Sequence, residues 1–105
     1  HPERPQQGQR EEGLNTVLLL PSELTHVQAR ACLQMLLQGL RSHGDASVTV
    51  DASALQRFDS AALAVLLEFR RECLAAGKQF VVRGLTPRLA DLAALYGIAG
   101  LLPAA

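Results

Sequence analysis

Residues 14 to 105 predict a single α/β domain, a mostly parallel β-sheet flanked by helices in the order β-α-β-α-β-α. Three observations lead there. Short apolar runs alternate with longer stretches of helical periodicity, the pattern of parallel strands joined by crossover helices. The breaks between them are short and carry Pro, Gly or Ser, as compact crossover units require. The composition, 49% apolar and 19% charged over 105 residues, suits one globular domain that builds its own core. Aromatic side chains are only 4% of the chain and Trp is absent, so that core must be made of Leu, Val and Ala.

The elements follow in order. Residues 1–13, HPERPQQGQREEG, hold no large apolar side chain and are expected to form a flexible polar tail. NTVLLL, from Asn15 to Leu20, is a short continuous apolar run that reads as a buried strand, ended by Pro21 and Ser22. Thr25 and Gln28 have the spacing of a capping box and predict a helix from there to about Arg41. Along it Ala29, Leu33, Leu36, Leu37 and Leu40 make one stripe. SHGD breaks the pattern. A second strand spans Ser47 to Asp51, with Val48 and Val50 on one face. A second helix runs from about Ala61 to Ala76, and Gly77 stands where its left-handed terminal residue belongs. KQFVVRG is a third strand. Thr86 caps a third helix, Pro87 fills its first position and Gly97 ends it. IAGLLP adds a short final strand or a tucked tail.

Several functions lose support at this level. Ten basic residues balance ten acidic ones, so no cation excess exists to displace counterions from a nucleic acid. Arg57, Arg70, Arg71, Arg83 and Arg88 fall in the second half and read as solvated or salt-bridged surface groups. No glycine-rich phosphate loop follows a strand, and no GxSxG elbow is present. His1, His26 and His43 do not fall at metal-ligand spacings with Cys or carboxylates. Neither catalytic residue, metal nor cofactor is expected. Cys32 and Cys73 sit in apolar helical patterns without a CxxC partner, the setting of buried free thiols in a reducing cytoplasm. No apolar run reaches 18 residues, so direct membrane insertion is not expected.

Interest concentrates beyond the carboxyl end of the second strand, where open α/β sheets carry their functional groups. Asp51 and Ser53 follow that strand directly and suit Asx-type loop capping. Asp59 and Ser60 open the second helix, and either could cap it. The helix behind them is unusual. Ala62, Val65, Leu66, Phe69 and Cys73 form one stripe, and Leu63, Leu67 and Leu74 form another beside it. A helix needs only about a 100° apolar face to sit on a sheet. Either neighbouring helices wrap this one, or part of its first two turns faces a partner.

VTVDASAL, FDSAALAVLLEF and KQFVVRGLTPRLADLAALYGIAGLL together resemble a STAS domain over about residues 14 to 103. That family includes bacterial anti-sigma factor antagonists and the tails of sulfate transporters. The resemblance implies a non-enzymatic protein-interaction module and offers two branches. In anti-sigma factor antagonists, a Ser matching Ser60 is phosphorylated by an anti-sigma factor kinase. In the other branch, the STAS protein is the small subunit of the Mla phospholipid-transport ABC system, which serves outer-membrane lipid asymmetry. There it is cytoplasmic, held at the inner membrane through the ATPase subunit that it binds. LAALYGIAGLLP is more similar to this second branch. The resemblance implies that Ser60 belongs to the ATPase-facing surface; with the polar start on the over-apolar helix, the expected surface is Arg57, Asp59, Ser60, Ala61, Leu63 and Ala64, with Asp59 capping the helix and Arg57 meeting a carboxylate across the interface. Ala61 and Ala62 stand where many members carry glycine, and Pro21 replaces another common glycine. At Ala61 and Ala62 the added Cβ restricts the approach of a kinase loop and favours the helix by up to about 1 kcal/mol per residue, which weighs toward steady docking. Calorimetric titration with ATP or GTP is expected to give no binding heat; saturable binding would restore the enzyme or nucleotide-binding class.

Overall fold

The computed structural model describes residues 15–104; the expected polar tail, residues 1–13, lies outside them. Five strands and three helices follow one another: β1 (Asn15–Leu19), β2 (Glu23–Leu24), α1 (Ala29–Ser42), β3 (Ser47–Asp51), β4 (Arg57–Phe58), α2 (Ser60–Ala75), β5 (Gln79–Arg83) and α3 (Pro87–Leu95), with a 3-10 turn at Ala99–Leu101. β1, β3 and β5 form a parallel sheet in that spatial order, in register through Leu18, Val50 and Val82. The predicted α/β class and mostly parallel sheet are therefore observed.

Both crossovers step across the sheet in the same direction. Right-handed connections then place α1 and α2 side by side on one face, and the two helices do pack together. Leu18, Val48, Val50, Phe80 and Val82 from the sheet join Leu36, Leu40, Val65, Leu66 and Phe69 from the helices in one core cluster. Phe69 and Phe80 meet edge to face, with ring centroids 6.2 Å apart. Gly39 lets α1 settle onto the sheet, because a Cβ there would lie 2.7 Å from a Leu18 methyl. Cys32 and Cys73 are buried free thiols, and desolvation pushes each up to about 11. No helix among the described residues is long and apolar enough to cross a membrane.

Three details differ from the sequence reading, and a fourth resolves an alternative that it left open. α1 begins at Ala29 rather than directly after Thr25. The Gln28 side chain reaches back to the Thr25 N–H at 2.9 Å and to its hydroxyl at 2.8 Å, and residues 26–28 form a turn instead of the first helical turn. α2 begins one residue earlier than expected, at Ser60. The two-residue strands β2 and β4 were not foreseen; they pair in parallel, Glu23 with Arg57 and Leu24 with Phe58. Finally, the chain end is both tucked and bridged: Leu102 is buried, and the Val82 N–H donates to the Pro103 carbonyl at 2.8 Å. α3 matches its expectation, with the Thr86 hydroxyl accepting from the Leu89 N–H and Pro87 in the first position.

At the amino ends of the strands, Lys78 donates to the backbone carbonyls of Asp45 (2.6 Å) and His43 (3.2 Å). The Thr16 hydroxyl donates to the Asp45 carboxylate at 2.6 Å. These bonds satisfy polar groups that burial would otherwise leave costly. Phe69 is fully buried, so Phe69→Ala is expected to destabilise the fold by roughly 3–5 kcal/mol, read as a lowered midpoint in urea.

Candidate functional site

Each crossover has the same plan: a main strand, a two-residue strand, then a helix. Because the two short strands pair, the starts of α1 and α2 are brought together. Backbone bonds secure the junction, since the N–H groups of Gln56 and Arg57 both donate to the Ser22 carbonyl, at 2.8 and 3.0 Å. Asp59 completes it. One carboxylate oxygen accepts from the Ala61 N–H at 2.8 Å, capping α2. The other accepts from the His26 N–H at 3.2 Å and lies 3.3 Å from His26 Nδ1. Hydrogen bonds from the Ala61 and His26 amides, with the His26 ring nearby, hold the Asp59 carboxyl below the usual carboxylate range.

This geometry sorts the residues at the helix start. Asp59 is the cap, so Ser60 is left as the first helical residue, exposed. Its hydroxyl makes no hydrogen bond to a described residue. Ala61 is half-buried and Ala64 exposed. Leu63 corrects the expectation placed on it: it is only 2% exposed and belongs to the core cluster. α1 and the sheet pack on α2; of its second stripe Leu63 is buried, Leu67 is half-buried and Leu74 stays 48% exposed. Arg57 lies 3.3 Å from Glu23 across the β2–β4 pair, so its nearest carboxylate is in its own chain. Both side chains are substantially exposed, and such a pair contributes about 0–1 kcal/mol.

Two open grooves flank the start of α2. One, of about 460 Å³, runs between the α2 start and α3 and is lined by Phe58, Asp59, Ser60, Arg88, Asp91, Leu92 and Tyr96. There the Arg88 guanidinium lies 4.8 Å above the Phe58 ring. The other, of about 560 Å³, runs between α1 and α2, with Leu33, Leu37, Ala64 and Val65 as its apolar floor and Arg30 and Glu68 beside it. Sequence reasoning carried no sign that α3 would stand next to Ser60. It also missed His26, which lies 33 residues from Asp59. No local spacing encodes either contact.

Asp51 and Ser53 form the expected Asx-type loop cap rather than a separate site. The Asp51 carboxylate accepts from the Ser53 N–H at 2.9 Å and from its hydroxyl at 2.6 Å, and Arg83 approaches it at 3.3 Å. The Ser53 hydroxyl, followed by the Ser53 amide and Arg83, lowers the Asp51 pKa. Gly84 makes the close approach possible: its φ is +72°, and a Cβ there would meet the Ser53 Cβ at 2.8 Å. Among the described residues no group of three or more His, Cys, Asp or Glu could hold a metal ion.

A family model described as "Mlab, STAS domain" matches residues 8–103. The chain belongs to the STAS domain family. STAS domains are generally regulatory modules that work through protein–protein contacts. Solved structures share the fold. The anti-sigma factor antagonist SpoIIAA in its unphosphorylated form aligns with a TM-score of 0.69 at 16% identity, over 87% of this chain and 79% of its own. A chain of the stressosome, a signal integration and transduction hub, aligns at 0.69 and 21% identity, over 90% and 83%. A sulfate transporter family protein from Wolinella succinogenes aligns at 0.70 and 16% identity, over 90% and 76%. No curated protein matches by sequence.

Both lowered carboxyls belong to this end of the STAS fold, and their linkage to stability has a definite sign. A carboxyl whose folded pKa lies below its unfolded value adds stability that is complete above the unfolded value, about 4, and is lost as pH falls through the folded one. The melting-temperature difference between the native protein and Asp51→Asn is therefore expected to be constant from pH 8 to 6 and to shrink below pH 4. For Asp59→Asn, the expected outcome is the loss of the difference below pH 4. A difference that grows as pH falls below 4 would contradict the hydrogen-bonding scheme.

Proposed function

We propose that this protein is the small STAS subunit of a phospholipid-transport ABC system of the Mla type, binding the ATPase subunit and supporting its work in outer-membrane lipid asymmetry. The observation that carries the reading is the surface at the start of α2. Ser60, Ala61 and Ala64 form a ridge of small side chains between two open grooves. A ridge without long side chains admits close approach by another protein and costs little side-chain entropy on binding. The description of the matching family model supports the Mla branch. On this reading the protein is cytoplasmic and peripheral to the inner membrane through its partner, carries no catalytic residue and needs no cofactor. Asp59 fixes the ridge, Ser60 and Ala64 meet the ATPase, and Arg57 exchanges Glu23 for a carboxylate of the partner.

A second reading is favoured by the state of Ser60. Its hydroxyl is exposed at a helix N-terminus while Asp59 has taken the capping role. A phosphate there is compatible with the helix dipole, and about two negative charges would obstruct docking. In that case the protein is an anti-sigma factor antagonist controlled by a kinase acting on Ser60.

Co-purification with the ATPase subunit separates the two. Native protein is expected to form the complex. Ser60→Asp and Ala64→Glu are expected to lower complex recovery by tenfold or more while leaving the melting temperature within a few degrees. Leu63→Glu is expected instead to unfold the domain, because the residue is core. Full complex recovery with folded Ser60→Asp and Ala64→Glu would remove the docking surface. Phosphorylation of Ser60 by an anti-sigma kinase, seen by mass spectrometry, would favour the second reading.

A further inference from the structure

Three large apolar side chains left outside the core gather around the end of α3. Leu95 is 77% and Tyr96 55% exposed, and Leu101, in the 3-10 turn that contacts α3, is 39% exposed. No charged residue follows Asp91 in the chain, so nothing in this stretch interrupts the apolar surface. Residues 1–13 hold no large apolar side chain and supply nothing to cover it. A patch of this kind marks a contact with another molecule.

The charges beside the patch point to the occupant. Arg88, Asp91 and Leu95 fall at i, i+3 and i+7 and share one exposed face of α3. The two charges have opposite sign. Neither makes an ion pair with a described residue, although Arg57, Arg71 and Arg83 each do. Arg88 is held at the surface by the Phe58 ring at 4.8 Å and by a long bond of 3.5 Å to the Gln56 carbonyl, contacts that leave its charge unneutralised. From start to end the face is therefore positive, negative and apolar. The two charges are their own complement when a second α3 runs the other way.

We infer that α3 is a self-association surface, on which two copies of this chain pair their α3 helices antiparallel about a two-fold axis. Such an axis repeats every contact, so Arg88 of each copy faces Asp91 of the other. Each Leu95 then lies across the start of the opposite helix, where Gly84 and Pro87 are exposed and leave room. A patch of a single sign would repel its own image; this one attracts it. α3 has only nine residues, and a pair this short buries less than the roughly 800 Å² per partner of a standard interface. The dimer is accordingly weak, with a dissociation constant on the order of 0.1 mM. The pairing needs no other protein and goes beyond the docking reading. α3 forms one wall of the groove beside Ser60, whereas Ala64 lines the groove on the other flank of α2.

Sedimentation velocity of the full chain, from about 10 μM to about 1 mM at low salt, tests the pairing. The native protein is expected to pass from monomer to dimer across that range. Arg88→Glu leaves two acidic residues on the face and Asp91→Arg leaves two basic ones, so each alone is expected to weaken the dimer about tenfold or more. Mixed in equal amounts, the two variants are expected to form a heterodimer at concentrations where each alone is monomeric. Both changes in one chain should restore the native dissociation constant to within about threefold. Leu95→Glu is expected to abolish the dimer, whereas Met35→Glu, at a residue 50% exposed on α1, should leave it unchanged. All four positions are exposed, so melting temperatures within a few degrees of the native value confirm that the variants are folded. A native protein that stays monomeric throughout would overturn the inference. So would a mixture of the two charge variants that remains monomeric, or a dimer that survives Leu95→Glu.

Discussion

The placement of α2 against the sheet is the constraint on which the rest of this structure depends. Strands β1, β3 and β5 are consecutive neighbours, so both crossovers advance the same way and both helices land on one face. α2 then has the sheet beneath it, α1 along one side and the start of α3 near its first turn. Leucine, valine and phenylalanine around most of its circumference are a consequence of that position. Ala62, Leu63, Val65, Leu66, Phe69 and Cys73 are all buried. What remains outside is Ser60, Ala64, the charged residues further along, and Leu74 and Ala75 at the far end. A surface made of what the core leaves over is small but rigid, which suits a module that acts by contact.

The paired short strands turn that packing into a site. Two residues each, β2 and β4 could not hold together alone; they depend on the main sheet on one side and on the helices that they introduce. Their effect is to align two helix starts. Asp59 then links them, because a carboxylate has enough acceptor sites to serve the amides of Ala61 and His26 together. On the proposed reading this is why an acidic residue precedes Ser60. The helix needs a cap, and the surface needs its two halves held in fixed relation.

The sequence made the frame legible because each main element carries a local signature. Val48 and Val50 alternate with polar neighbours, Thr86-Pro87 announces a helix, and Gly77 and Gly97 take the positive φ expected of helix ends. Elements without a signature were missed. Two residues are too few to show alternation, so β2 and β4 left no trace. The late start of α1 reflects a competition that the capping-box spacing does not decide, since Gln28 can close a turn on Thr25 without beginning the helix there. The error at Leu63 has a different cause. Periodicity showed two apolar stripes on α2 but not which residues of the second would be covered; that depends on the spatial order of strands far apart in the chain. Arg88 and His26 were missed for the same reason, as both meet the start of α2 through tertiary contacts alone.

The central claim is that the proposed contact surface is the outer ridge of α2, with Ser60 and Ala64 in it and the buried Leu63 outside it. A photo-crosslinking amino acid placed singly at Ala64, and for comparison at Gln38 on the exposed side of α1, tests it in cells that make the ATPase subunit. The account predicts a crosslinked species containing the ATPase from position 64 and none from position 38. Crosslinking from position 38 with none from position 64, in proteins of equal stability, would contradict it.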